Sequence, residues 1–290
     1  MTTSTLTPAT PTASSLDHIR LRFTGIVRSE WIKLRSLRST MWCYGLIVLL
    51  TIGFGLLLAL TITVPQQTTS ADQQNAALVQ VATLGVNFTQ LIVAVLGALV
   101  ITGEYSTGMI RSTFAAAPGR LGAYIGKALV LAVSTFVVGL ISIVGAGLVA
   151  LPVLVGKGVH PDMFDWSVLL PLIGGAGYLT LIALLAFTFG SILRASAGAI
   201  ASVLGLLLVV PTILQIVSSL TRAAWIQNIS AFLPSTAGGK IFGYQAATAA
   251  PAASTPGVVD LTSWEGLAVL IGWVVVFGII GAVLLKRRDA

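Results

Sequence analysis

Read for hydropathy alone, the chain alternates long apolar stretches with short polar connections. The stretches run approximately over 41–64, 78–101, 123–155, 168–192, 195–219 and 266–285. The first five exceed the roughly 20 apolar residues that a helix needs to cross a hydrocarbon core of about 30 Å, and the last just meets it. Soluble buried helices rarely stay apolar beyond about 14 residues, so six such stretches predict six transmembrane helices. The expected fold is all-α and polytopic, with one membrane domain over residues 41–290.

Composition supports this. Mean hydropathy is +0.97, with 56% hydrophobic and only 9% charged residues, against about 25% charged in a soluble domain. Basic residues are distributed unevenly. Arg20, Arg22, Arg28, Lys33, Arg35 and Arg38 precede the first stretch, and Arg111, Arg120 and Lys127 lie about the second connection. Arg194 lies in the fourth, and Lys286, Arg287 and Arg288 in the tail, which leaves only Lys157, Arg222 and Lys240 of the 16 on the other side. Because cytoplasmic connections retain Lys and Arg, this predicts both termini inside, in a bacterial cell (inner) membrane. The net charge of +7 reflects topology and attraction to anionic membrane lipid, with no nucleic-acid partner needed.

Residues 1–16 are rich in Ser, Thr, Pro and Ala and read as a disordered cytoplasmic tail without signal-peptide character. Residues 17–40 carry helical periodicity. Ile19, Phe23, Ile26, Val27, Leu34 and Leu37 gather on one face, Trp31 lies at its margin, and basic residues surround the rest. This predicts an amphipathic helix lying in the inner interface. Glu30 falls on the apolar face, either by chance or to meet a base from another element.

The connection at 102–122 closes the second span with Glu104, and Ser106-Thr107-Gly108 is suited to break and recap the helix. Met109, Ile110, Thr113 and Phe114 then suit a one-to-two-turn helix with an apolar side. That element is either a docking surface for a soluble partner or a plain hairpin. Thr83, Asn87 and Gln90 recur at i, i+4 and i+7, which places them on one face of the second span, either as helix glue or as pathway contacts. Gly139, Gly145, Gly147, Gly174, Gly175 and Gly177 read as close-packing positions, and Pro211 as a kink. The outer connection at 220–265 suggests short helices turning at Leu233-Pro234-Ser235, then a low-complexity loop. It is either a gate or a surface cap.

Catalytic chemistry finds no support. The single Cys43 reads as an apolar packing residue, and His18 and His160 share no ligand spacing. Gly156-Lys157 and Gly239-Lys240 lack the Ser/Thr of a phosphate-binding loop. No ionisable group clearly sits at mid-span, which argues against an intramembrane enzyme and an ion-coupled carrier. No catalytic, cofactor or metal site is expected in this chain.

The stretches EWIKLRSLRSTMW before the first span and GEYSTGMIRSTFAAAPGR after the second resemble the membrane (permease) subunits of bacterial ABC transporters of the type-2 export class. The six spans, the N-terminal interfacial helix and the long outer connection also resemble that family. The resemblance implies that the segment at 105–116 is a coupling helix contacting an ABC-type ATPase subunit, through Glu104, Tyr105, Met109, Ile110, Arg111 and Phe114. ATP and Mg would be bound by that partner. It also implies a second permease copy or paralogue, and export of an amphiphilic compound such as an antibiotic, peptide or lipid. A non-transporting sensor or immunity protein on the same scaffold is the alternative.

Overall fold

In the computed structural model, the residues described are 22–63, 70–110, 112, 120–221, 223–245 and 257–287. The proposed N-terminal tail, the low-complexity loop, Arg111 and Phe114 lie outside them. The elements are α1 (Phe23–Ser36), α2 (Arg38–Thr61), α3 (Ala71–Thr83), α4 (Val86–Ser106), α5 (Arg120–Gly156) and α6 (Trp166–Leu193). They continue with α7 (Ser196–Leu204), a π-turn at Gly205–Val209, α8 (Val210–Thr221), α9 (Ala224–Ala231), α10 (Pro234–Phe242) and α11 (Ser263–Arg287).

Six helical stretches are long and apolar enough to span: Arg38–Thr61, Ala71–Ser106, Arg120–Gly156, Trp166–Leu193, Ser196–Thr221 and Ser263–Arg287. Lipid offers backbone polar groups no partner, so each apolar run closes its hydrogen bonds internally as helix. The spans coincide with the six predicted stretches but extend past them at nearly every end, because polar residues continue the helix beyond the hydrocarbon. The second gains a full two turns, from Ala71 to Leu78. Chain reversals place α1 and the ends of spans two and four at one face of the bundle, here the α1 face. Helices α9 and α10 lie at the opposite, far face.

Spans two and four form the centre, each with 56% of its apolar window buried, against 11% for spans five and six. Small residues allow this approach. A Cβ on Gly97 would lie 2.2 Å from the Ala183 carbonyl oxygen, and one on Gly190 would lie 2.5 Å from Ile101. Where spans two and one cross, a Cβ on Gly85 would lie 2.5 Å from Thr51 Cα. At this crossing span two tightens, with the Asn87 amide bonding the Leu84 carbonyl three residues back at 3.3 Å. Of the six glycines read as packing positions, five meet a neighbour within 4 Å, whereas Gly177 faces open space. Helical periodicity groups these glycines but does not say which face a neighbour covers. Hydroxyls add cross-links: Tyr44 of span one shares hydrogen bonds with Ser134 (2.6 Å) and Thr135 (3.3 Å) of span three. Cys43 packs partly buried against the core.

Pro211 follows the π-turn of span five. Proline clashes with the carbonyl four residues back, here that of Leu207, and the wider π-turn relieves the crowding where a simple kink was anticipated. At the far face Lys157 Nζ donates to the carbonyls of Leu60 (2.7 Å) and Ile62 (2.8 Å). A cation thus satisfies the unpaired C-terminal carbonyls of span one. The connection between spans five and six contains α9 and α10, and Pro234 opens α10 at its first position, where a missing N–H costs nothing. Helix α10 packs on spans four and six, and Trp273 Nε1 donates to the Phe232 carbonyl at 3.0 Å.

Replacing Gly97 by alanine tests this packing. Overpacking at a backbone contact costs about 1–3 kcal/mol, so Gly97→Ala should lower the thermal unfolding midpoint of the detergent-solubilised protein. Gly103→Ala, at a helical site with nothing within 4 Å, should leave it unchanged or slightly raised.

Candidate coupling site

The site begins with the seating of α1. On span three, Gly122 and Gly126 stand one helical turn apart and leave a groove for Ile26. A Cβ at Gly126 would lie 3.0 Å from Ile26 Cγ2, and one at Gly122 3.5 Å from Ile26 Cδ1. This close seat turns one side of α1 inward, so that Glu30 and Leu34 are buried while Trp31 and Ile32 remain exposed. The chain then bends at Leu37, in extended conformation, and enters span one. The amphipathic segment is therefore a helix packed on the bundle through Ile26, Glu30 and Leu34, with other apolar residues left on its outer side.

Glu30 meets a base from another element. Lys127, one turn beyond the Gly122 seat, donates to Glu30 Oε2 and, at 2.8 Å, to Glu104 Oε1 at the last turn of span two. Lys33 donates to Glu30 Oε1 at 2.9 Å and to Glu104 Oε1 at 3.1 Å. Two carboxylates and two ammonium groups thus alternate in a closed, neutral ring. Glu30, Glu104 and Lys127 are 3%, 5% and 6% exposed, and only Lys33 reaches solvent, at 32% of its side chain. Burial opposes the Lys33 charge, but the hydrogen bond to Glu30 and the fields of Glu104 and Glu30 outweigh it and raise its pKa above the ordinary 10.5. A raised folded-state pKa means that this contribution is complete below the unfolded value and is lost only as pH rises through the folded one. The ring is charged throughout the physiological range at Lys33.

Glu104 Oε2 is buried and makes no hydrogen bond. Around Glu104 and Lys127 pack Ile101, Ile110, Ala123, Tyr124 and Leu285, so the cluster is walled by spans two, three and six. Beside it the Arg194 guanidinium lies 5.1 Å from the Tyr105 ring centroid, a cation–π contact joining the ends of spans two and four. Arg194 holds a left-handed conformation, φ 56°, as the cap of span four. Helix α4 ends as Ser106 and Thr107 return hydroxyl bonds to the Gly103 carbonyl at 3.0 and 2.8 Å. Gly108 then turns the chain with φ +71°, a conformation glycine adopts without strain. Met109, Ile110 and Ser112 resume helical conformation, and Ser112 Oγ bonds the Met109 carbonyl at 2.8 Å.

The predicted coupling residues therefore occupy different positions. Glu104 lies inside the ring, Tyr105 lies half-buried against Arg194, Ile110 is 5% exposed beneath the ring and Met109 is 43% exposed. Of the predicted pathway residues, Thr83 is buried and donates to its own helix at Val79 (2.7 Å). Asn87 is exposed. Gln90 is half-buried, accepts from Tyr178 of span four and donates to the Asn87 carbonyl at 2.8 Å. Asn87 and Gln90 are joined by that bond, whereas Thr83 is buried at the end of α3, before the tightened turn that leads into α4. Sequence reasoning did not assign Lys127 to the site. Its signal was an ionisable residue within an apolar run, which is costly at membrane depth unless paired.

These features define a polytopic membrane protein whose N-terminal helix α1 is fixed by ionic contacts to the ends of spans two and three at the α1 face. The ABC-2 family transporter protein model matches residues 26–211, well over half of the 290-residue chain. The chain belongs to the ABC-2 transporter family, as a membrane subunit of a type-2 ABC transporter. A comparison with curated proteins gives no match. The matched region covers α1 from Ile26 onward, the complete ion ring and the packed centre, and stops at Pro211.

Breaking the ring has a defined cost. Removing one partner of a buried pair leaves an uncompensated charge, worth about 3–5 kcal/mol. Lys127→Ala should therefore lower the unfolding midpoint markedly. Lys127→Gln combined with Glu30→Gln, which restores neutrality, should recover part of the loss in the same assay.

Proposed function

We propose that this chain is the membrane half of an ATP-driven exporter, which forms the path for an amphiphilic compound while a separate ABC-type ATPase hydrolyses ATP with Mg. The observation that carries this reading is the joining, through Glu104, of the last turn of span two to both α1 and span three. The α1 face is taken as cytoplasmic, in keeping with the 13-to-3 division of basic residues, and the ATPase docks there. Met109, exposed at the turn after Gly108, contacts the ATPase together with Arg111 and Phe114, while Ile110 anchors the turn from within. Displacement of this turn pulls on Glu104. Because Glu104 is bonded to Lys127 and Lys33, span three and α1 follow it as one body. A second permease copy or paralogue completes the path, and it covers apolar surface on spans five and six. Of the three polar residues on span two, Asn87 is the one placed to contact substrate, since Thr83 is buried and the Gln90 carbonyl is taken by Tyr178.

The chain expressed with its ATPase provides the test. Burial of each large apolar side chain contributes about 1.5–3 kcal/mol, so Met109→Ala with Phe114→Ala should reduce co-purification of the ATPase while the permease alone keeps its unfolding midpoint. Glu104→Gln combined with Lys127→Gln, which keeps the ring neutral, should preserve assembly but lower transport per ATP hydrolysed in proteoliposomes. Wild-type co-purification and transport in both variants would refute the reading. An ATPase that assembles normally without any compound stimulating its hydrolysis would favour a sensor on the same scaffold.

Substrate contact has a separate test. Asn87→Leu should change which compounds stimulate hydrolysis without a fall in thermal stability. A fall in stability with unaltered selectivity would instead make Asn87 a helix contact.

A further inference from the structure

A cleft of about 580 Å³ opens at the far face between spans four and six, roofed by the end of α10. Its polarity is graded. At the mouth stand Asp165, Ser167, Gln245 and Ser263, while Leu170, Ile173 and Leu267 line the interior, which reaches as far as Gly177. Trp166 and Trp264 flank it as the first turns of their helices begin, and each is largely exposed, at 67% and 69%. Paired tryptophans at helix ends mark the level of the headgroups. From Trp166 to Gly177 the helix rises about 16 Å at 1.5 Å per residue, close to the half-thickness of a hydrocarbon core of about 30 Å. The cleft is thus as deep as one leaflet, polar at headgroup level and apolar below.

Among the described residues, the charge lining the mouth is that of Asp165. Asp165 accepts from Asn75 Nδ2 at 3.2 Å and from the Ser167 amide at 2.9 Å, which fixes its carboxylate at the rim. Asp72 lies nearby, accepting from Tyr244 at 3.0 Å, and the Asp162 amide donates to Asn75 at 2.9 Å. Of the far-face lysines, Lys240 is paired with Asp260 at 2.6 Å and Lys157 is held on the span-one carbonyls. The floor is kept open by a missing side chain, since a Cβ on Gly177 would meet nothing within 4 Å.

We propose that this cleft holds one acyl chain of a lipid of the leaflet opposite α1, with an ammonium-bearing headgroup against the carboxylates at the mouth. The occupant is a resident membrane lipid of the phosphatidylethanolamine type. The assignment does not depend on the exporter reading, since it concerns the permease in its membrane with or without an ATPase.

The full chain is reconstituted in vesicles of phosphatidylethanolamine and phosphatidylglycerol carrying a trace of phosphatidylethanolamine with a photoreactive diazirine on its acyl chain. After irradiation, adducts mapped by peptide mass spectrometry should concentrate on 166–177 and 263–267. Gly177→Leu, whose side chain enters open space, should abolish them without lowering the unfolding midpoint. The same diazirine on phosphatidylglycerol should label these segments several-fold less, and Asp165→Asn with Asp72→Asn should remove that preference. Adducts spread evenly over the exposed faces of spans five and six would overturn the proposal. So would unchanged labelling in Gly177→Leu, or equal labelling by the two lipids in the unaltered protein.

Discussion

Charge cannot be left unpaired where water is scarce, and this constraint organises the α1 end of the protein. Glu30, Glu104 and Lys127 are each nearly out of solvent, and an isolated carboxylate or ammonium there would carry a desolvation cost of several kcal/mol. The ring closes because three separate elements supply its members at the correct positions. Helix α1 contributes Glu30 and Lys33, the last turn of α4 contributes Glu104, and the second turn of α5 contributes Lys127. Each carboxylate is bonded to both lysines, so moving any one element exposes charge on the other two. Helix α1 is therefore held by directional contacts in addition to its apolar contacts, and its place relative to spans two and three is specified.

That specification needs the helices to come close, and glycine permits it. Gly122 and Gly126 bring α1 near enough for Glu30 to reach Lys127, while Gly97 and Gly190 bring spans two and four into backbone contact. Without a hydrophobic driving force between helices in lipid, such contacts supply the dispersion and hydrogen bonding that hold the bundle together. Spans five and six lack this density. Among the described residues, α8 has no buried member at all, and its neighbours present apolar side chains outward, as suits surfaces that meet lipid or another subunit.

Much of the fold was legible in hydropathy, since only helices satisfy their own backbone in a bilayer and six stretches of sufficient length leave little choice. The capping signals at Ser106-Thr107-Gly108 and Pro234 were likewise local, and local chemistry decides such turns. Glu30 stood out as a charge on an apolar face, but its partner lies 97 residues away on another helix, a separation that periodicity does not encode. The placement of Thr83 away from Asn87 and Gln90 was hidden for a related reason. Between them the helix tightens where Gly85 meets span one, a tertiary contact that periodicity does not encode.

The distribution of packing and polarity suits a part that transmits motion. Where spans two and three meet α1, ionic bonds leave few independent adjustments, so in the proposed reading a displacement at Glu104 is passed on with little loss. Packing is looser in span five, of whose apolar window only 11% is buried. Span four reaches α10 partly across a cleft floored by Gly177, and span five is interrupted by a π-turn beside Pro211. Such interruptions are places where a helix can bend at modest cost. In the proposed reading, stiffness at the α1 end suits the passing on of motion, and the interruption of span five and the open floor of the cleft suit bending. In this chain the first property comes from paired charge, and the second from a proline and a missing side chain.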